Sequence, residues 1–181
     1  TTTIEAFMPD GKALQMGTSH NLGQGFAKAF GIEFLGKDEK KHFTWQTSWG
    51  FSTRLIGAVV LMHGDDEGLI LPPKIAPIHI AIVPIIQKDE KEKVIKKAEE
   101  IKKQLSKKYE VVLDDRGWYS AGWKFNEWEM KGVPLRIEIG PRDMENKSVV
   151  LVRRDNGKKE NVKLKELEKK IEINLEDIQK S

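Results

Sequence analysis

Three prolines in the stretch Gly-Leu-Ile-Leu-Pro-Pro-Lys-Ile-Ala-Pro, residues 68–77, restrict the fold more than any other feature of this chain. Pro72, Pro73 and Pro77 each lack the amide hydrogen that a helix interior needs, and each pushes the residue before it toward extended backbone. The stretch reads as an extended linker, and the hydrophobic pattern changes across it. A boundary is therefore expected between residues 1–72 and 73–181.

Before the linker, apolar runs are short and broken by glycine. Residues 1–8 and 12–19 read as strands around Pro-Asp-Gly-Lys, an antiparallel hairpin signal. Residues 19–31 read as a helix closed by Gly31, and 40–49 as a further strand. A helix follows, with Ser52 or Thr53 as its cap and Leu-Ile-Gly-Ala-Val-Val-Leu-Met at 55–62. That run is apolar on every face, so the helix is expected to be enclosed by protein. Together these elements imply an α+β layer with an antiparallel sheet.

After the linker the period changes. Residues 78–86 read as a buried strand, and 89–108 as a helix with Val94, Ile95, Ala98, Ile101 and Leu105 on one face. Strands at 109–115 and 133–140 bracket a short helix over 120–132 that ends at Gly132. Residues 148–164 read as a hairpin around Asn156-Gly157, a dipeptide favoured in type I′ turns, and 164–180 as a closing amphipathic helix. This βαβαβββα order implies an α/β domain with a mixed five-stranded sheet.

With 39% hydrophobic and 33% charged residues and no apolar run of bilayer length, the chain is expected to be soluble and to need no membrane. The absence of cysteine excludes disulfides and thiolate metal sites and suits a cytoplasmic protein. Residues 1–72 carry 6 basic against 8 acidic side chains, net −2, and residues 73–181 carry 25 against 20, net +5. The basic second part suits a polyanion such as RNA, and equally a solvated Lys/Glu surface.

Two stretches could carry chemistry. In residues 14–26, Gln15, Thr18, Ser19, His20 and Asn21 gather polar groups where a strand is expected to meet a helix. Gly17, Gly23 and Gly25 would let a ligand approach the backbone. Equally, Thr18 and Ser19 could cap the helix and the glycines could serve packing. In residues 45–54, Trp45 and Trp49 would share one side of a strand, Gly50 and Ser52 add small residues, and Arg54 supplies a cation. Arg54 sits at the positive end of a helix dipole, where a cation is disfavoured by about 0.3–1 kcal/mol. The acidic loop Asp65-Asp66-Glu67 lies about 16 Å away by helix rise. An external phosphate is the better partner.

These residues carry a resemblance. The stretches 1–30, 45–77 and 120–144 resemble prolyl-tRNA synthetases of the archaeal and eukaryotic-like type, and Gly-Phe-Ser-Thr-Arg-Leu-Ile-Gly-Ala (50–58) resembles the third signature motif of class II synthetases. The resemblance implies that residues 1–72 are the C-terminal part of a class II catalytic domain and 73–181 an anticodon-binding domain. It implies catalytic roles for Arg54 and Gln15, and ATP contacts from Gln15, Thr18, Ser52 and Arg54, with Gln15 also reaching magnesium through the nucleotide. His20, Trp49 and Gly50 would line the proline pocket. Thr3 and Glu5 show the Thr-x-Glu spacing of the family's proline-amine loop, but that loop lies further upstream, so they are assigned no role.

In the second part, Arg116, Lys124, Glu127, Glu138 and Arg142 would offer donors and acceptors to anticodon bases, with Trp118 or Trp123 as stacking surfaces. A surface salt-bridge cluster over a tryptophan core is the alternative. The implied activity is proline–tRNA ligation: ATP-dependent formation of prolyl-adenylate, then transfer to tRNA(Pro), by a cytoplasmic homodimer. The family's first two motifs and its zinc-binding C-terminal domain have no counterpart in these residues. The chain is expected to be a partial piece, inactive alone and with no zinc site. A non-catalytic tRNA-binding module or synthetase paralogue is the second reading, and a related class II enzyme for threonine, histidine or glycine the third.

Overall fold

In the computed structural model, which describes residues 1–86 and 90–180, the chain opens with the hairpin that its turn residues favour. Gly11 takes φ +79°, a left-handed conformation open to glycine without a Cβ penalty, and the Asp10 carboxylate accepts the Lys12 amide at 3.1 Å. Strands β1 (Thr2–Phe7) and β2 (Ala13–Gly23) pair antiparallel on either side of it.

β2 runs further than its sequence suggests. Residues 19–23 pair with β5 (Gln46–Gly50), Ser19 opposite Trp49 and Asn21 opposite Thr47. The helix expected over 19–31 is therefore reduced to α1 (Gly25–Phe30), which does end at Gly31 with φ +66°. A shared ladder of backbone hydrogen bonds overrides the capping preference of Ser19 and Asn21. The strand expected over 40–49 breaks in two. β4 (Lys41–Phe43) folds onto β3 (Glu33–Leu35), and β5 joins the sheet β1-β2-β5.

Helix α2 (Arg54–His63) begins where Ser52 Oγ accepts the Arg54 amide at 3.3 Å. It is not enclosed. Ala58 is its one buried residue and Ile56 is 67% exposed, so its all-round apolarity marks a surface that these residues leave uncovered.

The chain divides after Met62 into two compact units, Thr1–Met62 and His63–Ser181, ten residues before the boundary that the prolines suggest. Local contacts explain the shift. The Leu69 amide donates to the Met130 carbonyl at 3.1 Å and the Leu71 amide to that of Gly132 at 3.2 Å. Arg154 clasps Asp65 through two bonds of 2.8 and 2.5 Å. A Cβ on Gly132, which holds φ +71°, would sit 2.6 Å from that of Leu69. The proline-rich stretch is extended, but it is packed rather than free.

The second unit is a five-stranded mixed sheet in the order β10-β9-β8-β6-β7. Its strands are β6 (Ile80–Pro84), β7 (Val111–Leu113), β8 (Leu135–Ile139), β9 (Ser148–Arg153) and β10 (Lys159–Lys163). β6 is parallel to β7 and β8, while β9 runs antiparallel to β8 and β10. Parallel crossovers are right-handed. The step from β6 to β7 and the step back to β8 therefore place α3 (Lys91–Leu105) and α4 (Ala121–Met130) on opposite faces. Alternation along β6 matches this. Ile80 and Ile82 join Val94, Ala98, Ile101 and Leu105 of α3 and Ile171 and Leu175 of α6 (Leu167–Lys180), whereas Ala81 and Val83 meet Trp128 of α4.

Ser120 caps α4, its hydroxyl accepting the Trp123 amide at 3.2 Å. The expected start of α3 at Asp89 lies outside the described residues. A short helix, α5 (Pro141–Glu145), follows β8. The Asn156-Gly157 connection is not a type I′ turn: Gly157 has φ +65° but Asn156 does not share a positive φ, and the loop spans residues 154–158. Among the described residues no helix is long and apolar enough to cross a membrane.

Candidate functional site

In the first unit a bulge sets the geometry. Glu5 pairs with Gln15 and Ile4 with Gly17, so Met16 is an extra residue in β2. Residues normally alternate between faces along a strand, and the insertion puts Gln15 in phase with Thr18 and His20. On β5, Gly50 is opposite Thr18 and Ser48 opposite His20, on that same face.

The result is a cleft of about 380 Å³ lined by Gln15, Thr18, His20, Gly50, Ser52 and Arg54, with Met16, Gly17, Ser48 and Phe51 completing it. Trp49 borders it too, although it pairs with Ser19 and its Cβ points to the other face. Trp45 precedes β5 and takes no part in the lining. Ser48, Met16 and Phe51 escaped the sequence reading; the two-residue spacing of Ser48 from Gly50 is the signal that could have found it.

Arg54 stands at the head of α2 and donates to the Gln15 carbonyl at a long 3.4 Å. Among the described residues it makes no ion pair, and Asp65, its nearest acidic candidate in sequence, is taken by Arg154. Arg154 holds the Asp65 carboxyl down at about 2. The Ser52 hydroxyl is engaged with the Arg54 amide, and the Thr1 hydroxyl lies 2.9 Å from His20 Nδ1. A Cβ added to Gly50 would meet nothing within 4 Å, so the backbone there is bare toward the cleft. An anion with a compact body fits such a hollow. The oxygens that Gln15, Thr18 and Ser52 contribute are neutral, so a magnesium ion here would be carried on a ligand's phosphates.

Thr3 and Glu5 lie on the same sheet face, the Thr3 hydroxyl donating to the Glu5 carboxylate at 3.2 Å.

The second unit brings three of its five expected residues together. Asp114, at the end of β7, is the hub, and it was not anticipated. Arg116 donates to it at 2.8 and 2.6 Å, Trp128 Nε1 at 2.9 Å, and the Lys124 ammonium to its carbonyl at 3.1 Å. Arg116 also pairs with Glu127. Burial alone would push the Asp114 carboxyl up, but the bonds from Arg116 and Trp128 and the charge of Lys124 hold it below its ordinary value. Burial lowers the Lys124 ammonium, with only partial relief from Asp114. Lys131 and then Arg116 hold Glu127 down.

Arg116 is thus a brace between two carboxylates. Its guanidinium lies 5.0 Å over Tyr119 and 5.3 Å over Trp123, and those rings stack at 3.7 Å. Trp118, 77% exposed, leans beside them. A hollow of about 360 Å³ bordered by Arg116, Tyr119, Ser120 and Lys124 opens where β6 ends. It lies at the carboxyl edge of the sheet, where the chain steps from one side of β6 to the other, the usual ligand position in such folds. The flat, cation-braced rings can stack an unpaired base.

Glu138 and Arg142 stand apart from this cluster. Glu138 is buried on β8 and paired with Arg136 at 3.0 Å, so its carboxylate is spent within the protein. Arg142 is exposed on α5.

Comparison with known proteins agrees with this architecture. The chain is 55% identical over 179 residues to a proline–tRNA ligase of Natranaerobius thermophilus, covering 99% of this chain and 37% of that protein. It is 55% identical over 181 residues to the proline–tRNA ligase of Ruminiclostridium cellulolyticum, and 56% over 178 residues to that of Alkaliphilus oremlandii; these alignments cover 100% and 98% of this chain and 37% of each relative. The chain therefore spans little more than a third of the length of these relatives. Residues 79–174, from the threshold of β6 into α6, match the family described as the anticodon binding domain. With its whole five-stranded sheet, helices α3 to α5 and its aromatic surface inside that match, the chain belongs to the anticodon binding domain family.

Proposed function

We propose that this chain supplies the rear of the catalytic domain and the anticodon-binding domain of a proline–tRNA ligase of the archaeal and eukaryotic-like type, although the relatives named above are bacterial. In this reading the cleft of the first unit holds ATP and proline. Arg54 neutralises the nucleotide phosphates, Gln15 and Thr18 hold ATP, and Ser52 adds a further ATP contact. His20, Gly50 and Trp49 bound the imino acid. Magnesium, carried on the phosphates beside Gln15, would add to the charge neutralisation there.

The proline carboxylate attacks the α-phosphate and pyrophosphate leaves; a hydroxyl of the terminal ribose of tRNA(Pro) then takes the prolyl group from the adenylate, and AMP leaves. Such chemistry asks for alignment and charge stabilisation more than for a protein nucleophile. The second unit binds the anticodon, with Trp118, Tyr119 and Trp123 as the stacking surface and Arg116, Lys124 and Glu127 around it. The complete enzyme is a cytoplasmic homodimer.

One observation carries the catalytic part of this reading: an arginine with no acidic partner among the described residues, at the head of a helix, facing an open polar cleft. Amino-acid binding in the presence of ATP, measured on the complete protein, tests it. Firm proline binding with weak threonine binding is expected, and the reverse would overturn the specificity. Binding of tRNA without ATP or proline binding would assign a non-catalytic module instead. Residues 1–181 alone are expected to give no proline-dependent pyrophosphate exchange.

A further inference from the structure

The second unit has another opening at the same edge of its sheet as the aromatic surface. β10 runs parallel to β8 and β6, so the end of β10 and the turn after β8 share the edge at which β6 and β7 finish. There, a groove of about 720 Å³ is ringed by Lys97, Lys147, Lys163 and Lys165 over a floor that includes Met144 and Leu164. The lysines come from three parts of the chain: α3, the turn after α5, and the end of β10 with the 3-10 turn Leu164–Glu166. Met144 and Leu164 are partly buried against the core, which fixes the floor.

Charge in the groove is unbalanced. Glu166 lies 3.8 Å from Lys165, and Glu100 2.8 Å from Lys97. Among the described residues, Lys147 and Lys163 have no carboxylate partner. Lys163 is instead positioned by donating to the Asn146 carbonyl at 3.0 Å. Lys147 holds φ +50°, a left-handed conformation uncommon for lysine.

Lysine ammoniums are compact charges that suit phosphate without base selectivity, and the apolar floor suits a ribose or a base face. We propose that this groove is a second RNA contact, gripping the phosphodiester backbone of the RNA whose unstacked bases meet Trp118, Tyr119 and Trp123. The proposal rests on the reading of the second unit as an RNA-binding domain. An acidic protein segment is the competing occupant. It has no use for a groove on the same edge as a base-stacking surface.

The test is a titration of labelled tRNA(Pro) transcript against the full chain across about 50–200 mM salt, with Lys147→Gln/Lys165→Gln, Lys147→Arg/Lys165→Arg and Trp118→Ala variants. Both lysines are exposed, and matching melting curves check that the variants fold. The double glutamine variant is expected to bind about tenfold or more weakly, with the slope of log affinity against log salt shallower by about 0.7–0.9 per lysine. The loss should be equal for a tRNA of unrelated anticodon. The arginine variant should retain affinity, and Trp118→Ala should weaken binding without changing the slope. A wild-type chain that binds RNA beside a glutamine variant of unchanged affinity and slope overturns the groove and spares the RNA reading. A wild-type chain that binds no RNA overturns both. Binding of poly-glutamate at these lysines, with no effect of the variants on tRNA, assigns the groove to an acidic protein.

Discussion

Among residues 1–62 the buried apolar side chains are Met8, Ala27 and Ala58, while Ile4, Phe7, Phe30, Trp49, Phe51 and Ile56 all lie exposed. Residues 63–181 show the opposite balance: Ile80, Ile82, Leu135, Ile137, Ile139, Leu151 and Ile171 are enclosed in one cluster between the sheet and two helices. Both units contain regular elements, and each has a serine hydroxyl accepting an amide at a helix start, Ser52 for α2 and Ser120 for α4. What separates them is burial, the main favourable term in folding. The second unit closes its own core, whereas the first leaves most of its large apolar side chains uncovered.

Hydrogen exchange on the 181-residue chain should expose the largest difference. Amides of β6 and β8 should be protected about 1,000-fold or more beyond those of β1 and β2, because local opening costs little where few apolar contacts are lost. Equal protection would erase the contrast. In the proposed complete enzyme, protection should rise in the first unit selectively.

Single truncations sharpen the same point. Ile137→Ala, in the enclosed cluster, should cost about 2–5 kcal/mol in urea denaturation, and Ile56→Ala, on the uncovered helix, less than about 0.5 kcal/mol. A costly Ile56→Ala would show that α2 is already covered.

The smallest effect is electrostatic. The carboxyl of Asp65 is depressed to about 2 by Arg154, from an ordinary 3.8. A depressed folded-state value means that the pair stabilises the fold above about pH 4, and that this contribution fades as pH falls from there toward about 2. Asp65→Asn should remove that part of the acid sensitivity, read as a flatter dependence of the urea midpoint over the same window. Half-exposure of Asp65 keeps the effect modest.

Legibility in the sequence follows the same division. The second unit could be read because its strands are continuous apolar runs and its helices carry one apolar face, as with Val94, Ala98, Ile101 and Leu105. The first could not be read as well, because its structure depends on distant pairing. Ser19, His20 and Asn21 look like a helix start, yet β5 draws them into a strand. The bulge at Met16, which brings Gln15 beside Thr18 and His20, leaves no trace in local composition. At the sites, the sequence supplied Arg54 and the polar residues facing it. It did not supply Asp114, whose role depends on Arg116, Lys124 and Trp128 converging on one buried carboxylate.

In the proposed function, Arg54 holds its charge for a phosphate from outside the protein. Arg54→Met in the complete protein, followed by both ligand-free denaturation and ATP titration, addresses this directly. Stability within about 0.5 kcal/mol of wild type together with ATP affinity reduced about 10–100-fold is the expected result. A stability loss of several kcal/mol with ATP affinity unchanged would mean that the guanidinium is neutralised by the protein itself.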